Sequence, residues 1–252
     1  MLELERMAAA HCRGTEEEWL GEWLLRAADG FTGRANSALP LGDPGLPLEA
    51  ALDYVTGWYR ARGLPAVMAV PLPLPPADDA PAVGLDAELT VRGWATRPGP
   101  AFVMVADLPL AVAVGELPAG AAITADADPD QAWLARYHYR GTDTQPPVMR
   151  DVLTSAADQA FISIRAESGV LAIARLSIAE GWAGLTAVEV DPGRRRAGLG
   201  RAITEAACAQ AVGRGARRVF LQVEVGNAGA RALYERSGFR YSHRYHYRMA
   251  PA

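Results

Sequence analysis

Val188-Glu189-Val190-Asp191-Pro192-Gly193-Arg194-Arg195-Arg196-Ala197-Gly198-Leu199-Gly200-Arg201-Ala202-Ile203 holds the most specific chemistry in the chain. A run of β-formers enters Asp-Pro, the chain turns through a glycine and three arginines, and a helix begins with Gly198 and Gly200 among its first residues. Backbone N–H groups at a helix start have no carbonyl partner, and glycines remove the Cβ atoms that would block approach to them. Arginines add forked cationic donors. Together they suit a diphosphate. Two familiar phosphate loops compete. Gly193 and Gly198 have P-loop spacing, but Leu199 and Gly200 stand where lysine and serine or threonine belong, which disfavours ATP or GTP hydrolysis. Gly198-x-Gly200 opens a dinucleotide fingerprint, but Ile203 occupies its third glycine position, and the strand before it follows hairpins rather than opening a βαβ unit.

Outward from this loop the element order is legible. Helical patterns at 129–140 and 146–156 precede strands at 161–165 and 170–178, joined as a hairpin through Ser168-Gly169. The first of these helices opens on the acidic cluster Asp126, Asp128 and Asp130 and runs through Trp133, Leu134 and Tyr137. Glu180-Gly181 turns the chain into a strand at 185–190. Beyond the loop come a helix at 198–212, a strand at 219–225, a helix at 228–237 and a strand at 241–249. The second half is therefore an α+β unit of antiparallel hairpins passing into strand-helix-strand.

The first half is less regular. Residues 24–39 mix apolar positions with Arg34, Asn36 and Ser37. Residues 47–62 have helical spacing through Leu48, Ala51, Leu52, Val55 and Trp58. A strand at 65–70, a short helix at 85–91 and a strand at 101–107 follow. That order echoes the end of the second half, as a degenerate duplication would. The pentapeptide Arg-Tyr-His-Tyr-Arg occurs at 136–140 and 244–248, but on segments read as helix and strand, so coincidence accounts for it. Pro71, Pro73, Pro75, Pro76 and Pro81, with Asp78 and Asp79, form an excursion. A second apolar run spans 108–114, and a softer boundary near 117–120 divides the chain into 1–119 and 120–252.

Half of the 252 residues are hydrophobic, enough for a sizeable core and against whole-chain disorder. A net charge of -4 gives no global drive toward nucleic acid or an anionic membrane. All 25 basic residues are arginine and are scattered, which reads as coding bias. Cys12 and Cys208 lie far apart without a Cys or His at ligand spacing, so neither a disulfide framework nor a metal site is expected. Glu3, Glu5 and Arg6 precede any apolar run, and no stretch reaches the ~18 apolar residues of a spanning helix. A soluble cytoplasmic protein is the expectation.

Arg195-x-x-Gly198-x-Gly200 after a strand ending Val-Asp-Pro resembles the acetyl-CoA pyrophosphate loop of the GNAT superfamily of N-acyltransferases. Asn227-Ala-Gly-Ala-Arg-Ala-Leu-Tyr234-Glu-Arg-Ser-Gly238-Phe239 resembles its second signature. The match covers roughly 120–252. Gly181-Trp182-Ala-Gly184-Leu185, Leu221-Gln222-Val223-Glu224 and His243-Arg-Tyr-His246-Tyr are similar to a group of actinobacterial tandem GNAT-like proteins. Phe31-Thr-Gly-Arg34-Ala-Asn36-Ser37 matches the degenerate first half of that group. The resemblance implies an α+β fold, a mixed and mostly antiparallel sheet flanked by helices, in two tandem units. Residues 1–119 would be the degenerate GNAT-like unit and 120–252 the acetyl-CoA-binding catalytic one.

It further implies acetyl-CoA as acyl donor and a small-molecule or peptide amine as acceptor, meeting in a ternary complex. The protein would be a monomer or homodimer without nucleic-acid, membrane or metal partners. The backbone of Arg195, Arg196, Ala197, Gly198, Gly200 and Arg201 would bind the diphosphate. Unpaired backbone groups near Val188 and Val190 would hold the pantetheine arm and polarise the thioester carbonyl. Asn227 would tie the second helix near the cofactor, and Tyr234 would protonate the departing thiolate. Many members carry a glutamate six residues before the valine that precedes Asp-Pro, where this chain has Gly184. Glu189, on the same strand but of opposite side-chain parity, is the candidate base, with a water chain or an amine of low pKa as alternatives.

Blander readings stand beside these. Tyr234 also fits a core aromatic next to Leu233, Glu189 an ion-paired strand residue, and Cys208 buried helix packing. Strand alternation puts His243, Tyr245 and Tyr247 on one face of the last strand, lining an acceptor cleft or packing, and His246 on the other. Arg34, Asn36 and Ser37 suit either an acceptor contact or a satisfied turn network. Gly184 in place of a carboxylate also leaves open a non-catalytic acyl-CoA-binding sensor or regulatory module.

Overall fold

The computed structural model describes residues 1–75, 81–110, 117–138 and 145–251. Pro76, Asp78, Asp79, most of the second apolar run at 108–114, and Tyr139 and Arg140 of the first pentapeptide lie outside the described residues. The first half contains α1 (Leu2–Ala9), β1 (Glu16–Leu20), β2 (Trp23–Ala27), β3 (Leu39–Pro40), α2 (Leu48–Arg60), β4 (Val67–Leu72), α3 (Pro81–Val91) and β5 (Ala95–Asp107). The second contains β6 (Ala122–Asp126), α4 (Gln131–Arg136), α5 (Val148–Leu153), β7 (Asp158–Ala166), β8 (Gly169–Ala179), β9 (Trp182–Val190), α6 (Leu199–Gly213), β10 (Arg218–Glu224), α7 (Ala228–Arg236) and β11 (Arg240–Met249). No helix among these is long and apolar enough to cross a membrane.

The predicted elements of the second half form at their predicted places, for local reasons. Glu180 and Gly181, at φ +50° and +74°, make the two-residue turn whose twist suits a β8–β9 hairpin. Leu199, Ala202, Ile203, Ala206, Ala207 and Ala211 put a buried stripe at helical spacing on α6, which packs against β7, β8 and β9. Other segments differ from expectation. Residues 122–126, expected to open a helix at Asp126, form the edge strand β6 paired with β7. The helix instead starts at Asp130, whose carboxylate accepts from Trp133 N at 2.8 Å as an N-cap. α1 and β1 carried no strong periodic signal. Residues 24–39 resolve into β2, a single 3-10 turn at Arg34–Asn36 and β3.

Eight strands form one sheet in the order β4-β11-β5-β10-β9-β8-β7-β6, while β1, β2 and β3 form a small second sheet. Within the large sheet only β9 and β10 run parallel. The two halves interlock: β5 of the first half lies between β10 and β11 of the second, and β11 in turn lies between β4 and β5. Each half thus contributes one strand-helix-strand unit, β4-α3-β5 and β10-α7-β11, and their strands alternate across the sheet. The echo in element order becomes a pseudo-symmetric exchange of strands.

Met104 of β5 is fully buried in the core that α6 and α7 make over the second half. Met104→Ala is therefore expected to destabilise the whole chain by about 2–5 kcal/mol. Urea unfolding followed by far-ultraviolet circular dichroism and by tryptophan fluorescence should show one coincident transition at a lowered midpoint. Separated transitions of the two halves would contradict the interlock.

Candidate functional site

β9 and β10 pair only from Trp182 to Leu185 against Arg218 to Leu221. Past that point they part, and the edge of β9 facing β10 has no partner strand. The cause is a bulge: Ala187 and Val188 together oppose Ala174 of β8, with Ala187 at φ +52°. The extra residue also corrects a sequence expectation. Gly184 pairs with Ser177, Thr186 with Arg175 and Glu189 with Ile173, so Glu189 shares a face with Gly184 rather than opposing it. Val188 and Val190 turn toward the α6 side and pack against its core.

At the mouth of this wedge the loop leaves β9. Asp191 shapes it: Oδ1 accepts from Gly193 N and Oδ2 from Arg136 Nη2, each at 2.8 Å. Arg196 at φ +63° and Gly198 at φ +80° turn the backbone into α6. Among the described residues no close hydrogen bond to protein is made by the N–H groups of Arg195, Arg196, Ala197 and Gly198, and those of Leu199, Gly200 and Arg201 fall in the first helical turn. Residues 192–198 are exposed, and Arg194, Arg195 and Arg196 have no carboxylate partner among the described residues. Arg201 folds its side chain back onto the buried Glu205 at 2.6 Å, so it offers the loop its amide and not its guanidinium. A Cβ on Gly200 would lie 3.2 Å from Leu233 Cδ2, so glycine there lets α6 start close to α7. A Cβ on Gly198 would meet nothing within 4 Å, leaving the amide cradle open.

A cleft of about 330 Å³ runs from this wedge, lined among others by Val188, Glu189, Asn227, Tyr234, His138 and Arg34. Asn227 caps α7, its Oδ1 accepting from Ala230 N at 3.1 Å. The Tyr234 ring packs in the core, 5.7 Å from Phe239, and the residue also lines the cleft. Burial pushes its phenol above the ordinary tyrosine range, so it stays protonated and able to donate. Cys208 is buried in α6, its thiol pushed up to about 12 by burial, which removes it as a nucleophile.

Two histidines that the sequence did not single out complete the picture. His11, just beyond α1, fills the place above Gly184, where a Cβ would lie 2.7 Å from its Nδ1 and 2.8 Å from Ser177 Oγ. Ser177 Oγ lies 2.9 Å from His11 Nδ1 and 3.2 Å from Gly184 O, and Met7 Sδ, which can only accept, lies 3.2 Å from Nε2, so the hydrogen of the neutral ring faces the sulfur and Nδ1 accepts from Ser177. The position of the common glutamate is thus occupied by an imidazole from the first half. His138 binds Glu189 twice, through Nδ1 to Oε1 at 2.6 Å and through its backbone N to Oε2 at 2.9 Å. Glu189 is accordingly a carboxylate that holds a histidine, and both line the cleft.

The polar residues of the first half separate in role. Asn36 is wholly a turn residue: Oδ1 accepts from Ala28 N and Gly30 N, and Nδ2 donates to Ala28 O, Phe31 O and Thr32 O. Arg34 lines the cleft and Ser37 is buried beside Arg26. On β11, Tyr245 and Tyr247 line the cleft, His243 bonds the buried Glu5 at 2.7 Å, and His246 bonds Asp86 of α3 at 2.6 Å on the opposite face.

Residues 1–248 match the family described as "Probable histone acetyltransferase Rv0428c C-terminal". The Mycobacterium tuberculosis protein named probable histone acetyltransferase Rv0428c is 32% identical over 262 residues, covering 99% of this chain and 73% of that protein. A solved GCN5-related N-acetyltransferase from Kribbella flavida superposes with a TM-score of 0.69 at 21% identity, covering 100% of this chain and 93% of its own. A tandem GNAT protein from the clavulanic acid biosynthesis pathway superposes with a TM-score of 0.67 at 16% identity, covering 83% and 73%. The two structures share the fold.

Burial first, and the charge of Arg175 second, lower the pKa of His11 from 6.5 to about 4. The folded chain therefore binds fewer protons here than the unfolded one, so His11 contributes stability above pH 6.5 that is lost as pH falls toward 4. The loss amounts to about 3 kcal/mol. Urea midpoints measured across this range should fall more steeply for the natural chain than for His11→Gln; parallel profiles would reject the assignment.

Proposed function

The chain belongs to the Rv0428c C-terminal acetyltransferase family and has the GNAT fold, and from that premise we propose that it transfers an acetyl group from acetyl-CoA to a primary amine by direct attack in a ternary complex. The observation that carries this reading is the exposed run of unengaged amides from Arg195 into α6, opening onto the wedge between β9 and β10. Amides without close acceptors beside three guanidiniums that have no carboxylate partner among the described residues suit a diphosphate, and the open edge of β9 near Val188 and Val190 suits the amide-bearing pantetheine arm.

In this reading the acetyl thioester supplies the acyl group and the protein supplies position and protons. Backbone groups of β9 at the bulge hydrogen-bond the thioester carbonyl as negative charge gathers on its oxygen. The acceptor nitrogen forms its bond to the acyl carbon as the carbon–sulfur bond breaks. Tyr234 gives its phenolic proton to the departing thiolate. Glu189 and His138, joined through Oε1 and Nδ1 at 2.6 Å and both lining the cleft, receive the surplus proton of the acceptor amine. Residues 120–252 would form the catalytic unit, and 1–119 a degenerate unit that walls the acceptor side with Arg34, as supported by its residues in the cleft. Two free cysteines fit a reducing cytoplasmic setting.

A second reading, a non-catalytic acyl-CoA sensor, is favoured by one observation, the absence of a carboxylate at Gly184. Thiol release on mixing acetyl-CoA with amines separates the two. Transfer is expected, and Tyr234→Phe should lower it roughly 10²–10⁴-fold without weakening CoA binding. Acetyl-CoA that binds but releases no thiol with any amine would favour the sensor.

CoA binding has its own check. Free CoA should raise the melting temperature of the natural chain, and Gly198→Trp should remove the rise, because φ +80° excludes a side chain without strain and the indole would cover the amides. A variant that still responds to CoA would move the diphosphate site elsewhere.

A further inference from the structure

Behind the cleft lies a small chamber of about 20 Å³, room for one water or for one oxygen of a carboxylate whose remainder lies in the cleft. It shares Arg34, Thr186, Gln222, Tyr245 and Tyr247 with the cleft, so the two spaces are continuous. Arg26 of β2 lines it while only 4% exposed. Its protein bonds are long, Nε to Ser37 O at 3.4 Å and Nη2 to Ser37 Oγ at 3.5 Å, and no carboxylate pairs with it among the described residues. The one acid on the chamber wall, Glu5, is committed to His243 at 2.7 Å. A buried guanidinium without a counter-ion is costly, and the cost is relieved when a ligand brings the anion. Arg34 adds a second positive charge at the junction of chamber and cleft.

Resting on the acetyl-transfer reading, we infer that the acceptor is a primary amine that also carries a carboxylate, which docks between Arg26 and Arg34 while the amine points back toward Thr186 and the wedge. A carboxylate between two arginines accepts charge-assisted hydrogen bonds and fixes the amine at a set distance from its anionic end. Chain length between the two groups then decides which amino acid reacts.

The test uses the intact chain and a paired series: glycine, β-alanine, 4-aminobutyrate, 6-aminohexanoate and lysine, each against its carboxamide. Acids should exceed their amides in kcat/KM by roughly tenfold to a hundredfold for at least one chain length, through KM. Calorimetry on the CoA-loaded protein should show binding of that acid and not of its amide. Arg34→Gln should bring the acid-to-amide ratio to about one with the melting temperature read alongside, and Arg26→Gln the same if it folds. Binding of acids without any transfer would sink the transferase reading and leave this pocket standing. Transfer to amides as fast as to acids, or an unchanged ratio in Arg34→Gln, would overturn the carboxylate proposal and leave the transferase.

Discussion

The parting of β9 from β10 is the constraint on which the site depends. A parallel pair ordinarily continues until a strand ends, because each unpaired backbone group left out of water is costly. Here pairing stops at Leu185 and Leu221 although both strands run on. The bulge at Ala187 bends β9 away, and its far edge stays paired with β8, so only the edge facing β10 is left open. One local irregularity thus creates a wedge whose walls offer backbone donors and acceptors in extended geometry. The loop after Asp191 and the start of α6 sit at its outer end, where the helix N-terminus adds its own donors.

The first half is bound to this wedge by more than proximity. β5 supplies the strand that holds β10 from the other side, so the position of β10 relative to β9 depends on residues remote in sequence. Glu5 anchors α1 to β11 through His243, and the residues just after α1 bring His11 over Gly184. A glutamate at 184 would collide with that imidazole. A carboxylate at 184 and the imidazole of His11 therefore exclude each other in this packing, in which residues of the first half form the wall beside Gly184.

What the sequence made legible was the part governed by local backbone chemistry. The Asp-Pro turn, the glycines before α6, the hairpin turn at Glu180-Gly181 and the Asn227 cap each express a preference held within a few residues. The bulge escaped because the residue at positive φ is Ala187, which carries none of the signal a glycine would, and so the parity of Glu189 came out reversed. His11 and His138 escaped because their partners lie 166 and 51 residues away. The strand exchange was visible only as an echo of element order, since nothing in a single strand states which neighbours it will have.

The reversal of parity alters the chemistry open to the site. An amine at neutral pH is mostly protonated, and attack on a thioester requires the neutral form, so some group or field must favour loss of the proton. With imidazole at the usual carboxylate position and its pKa near 4, His11 is neutral and can neither hold an ammonium by charge nor compete for its proton. Two features on the same face remain. The first is the buried guanidinium of Arg26 at the inner end of the cleft, whose charge, in the proposed transfer, would disfavour a second positive charge on a bound acceptor. The second is the Glu189 carboxylate with His138 bonded to it at 2.6 Å, both lining the cleft. In the proposed transfer these two features would share the work that a single carboxylate at position 184 would do alone.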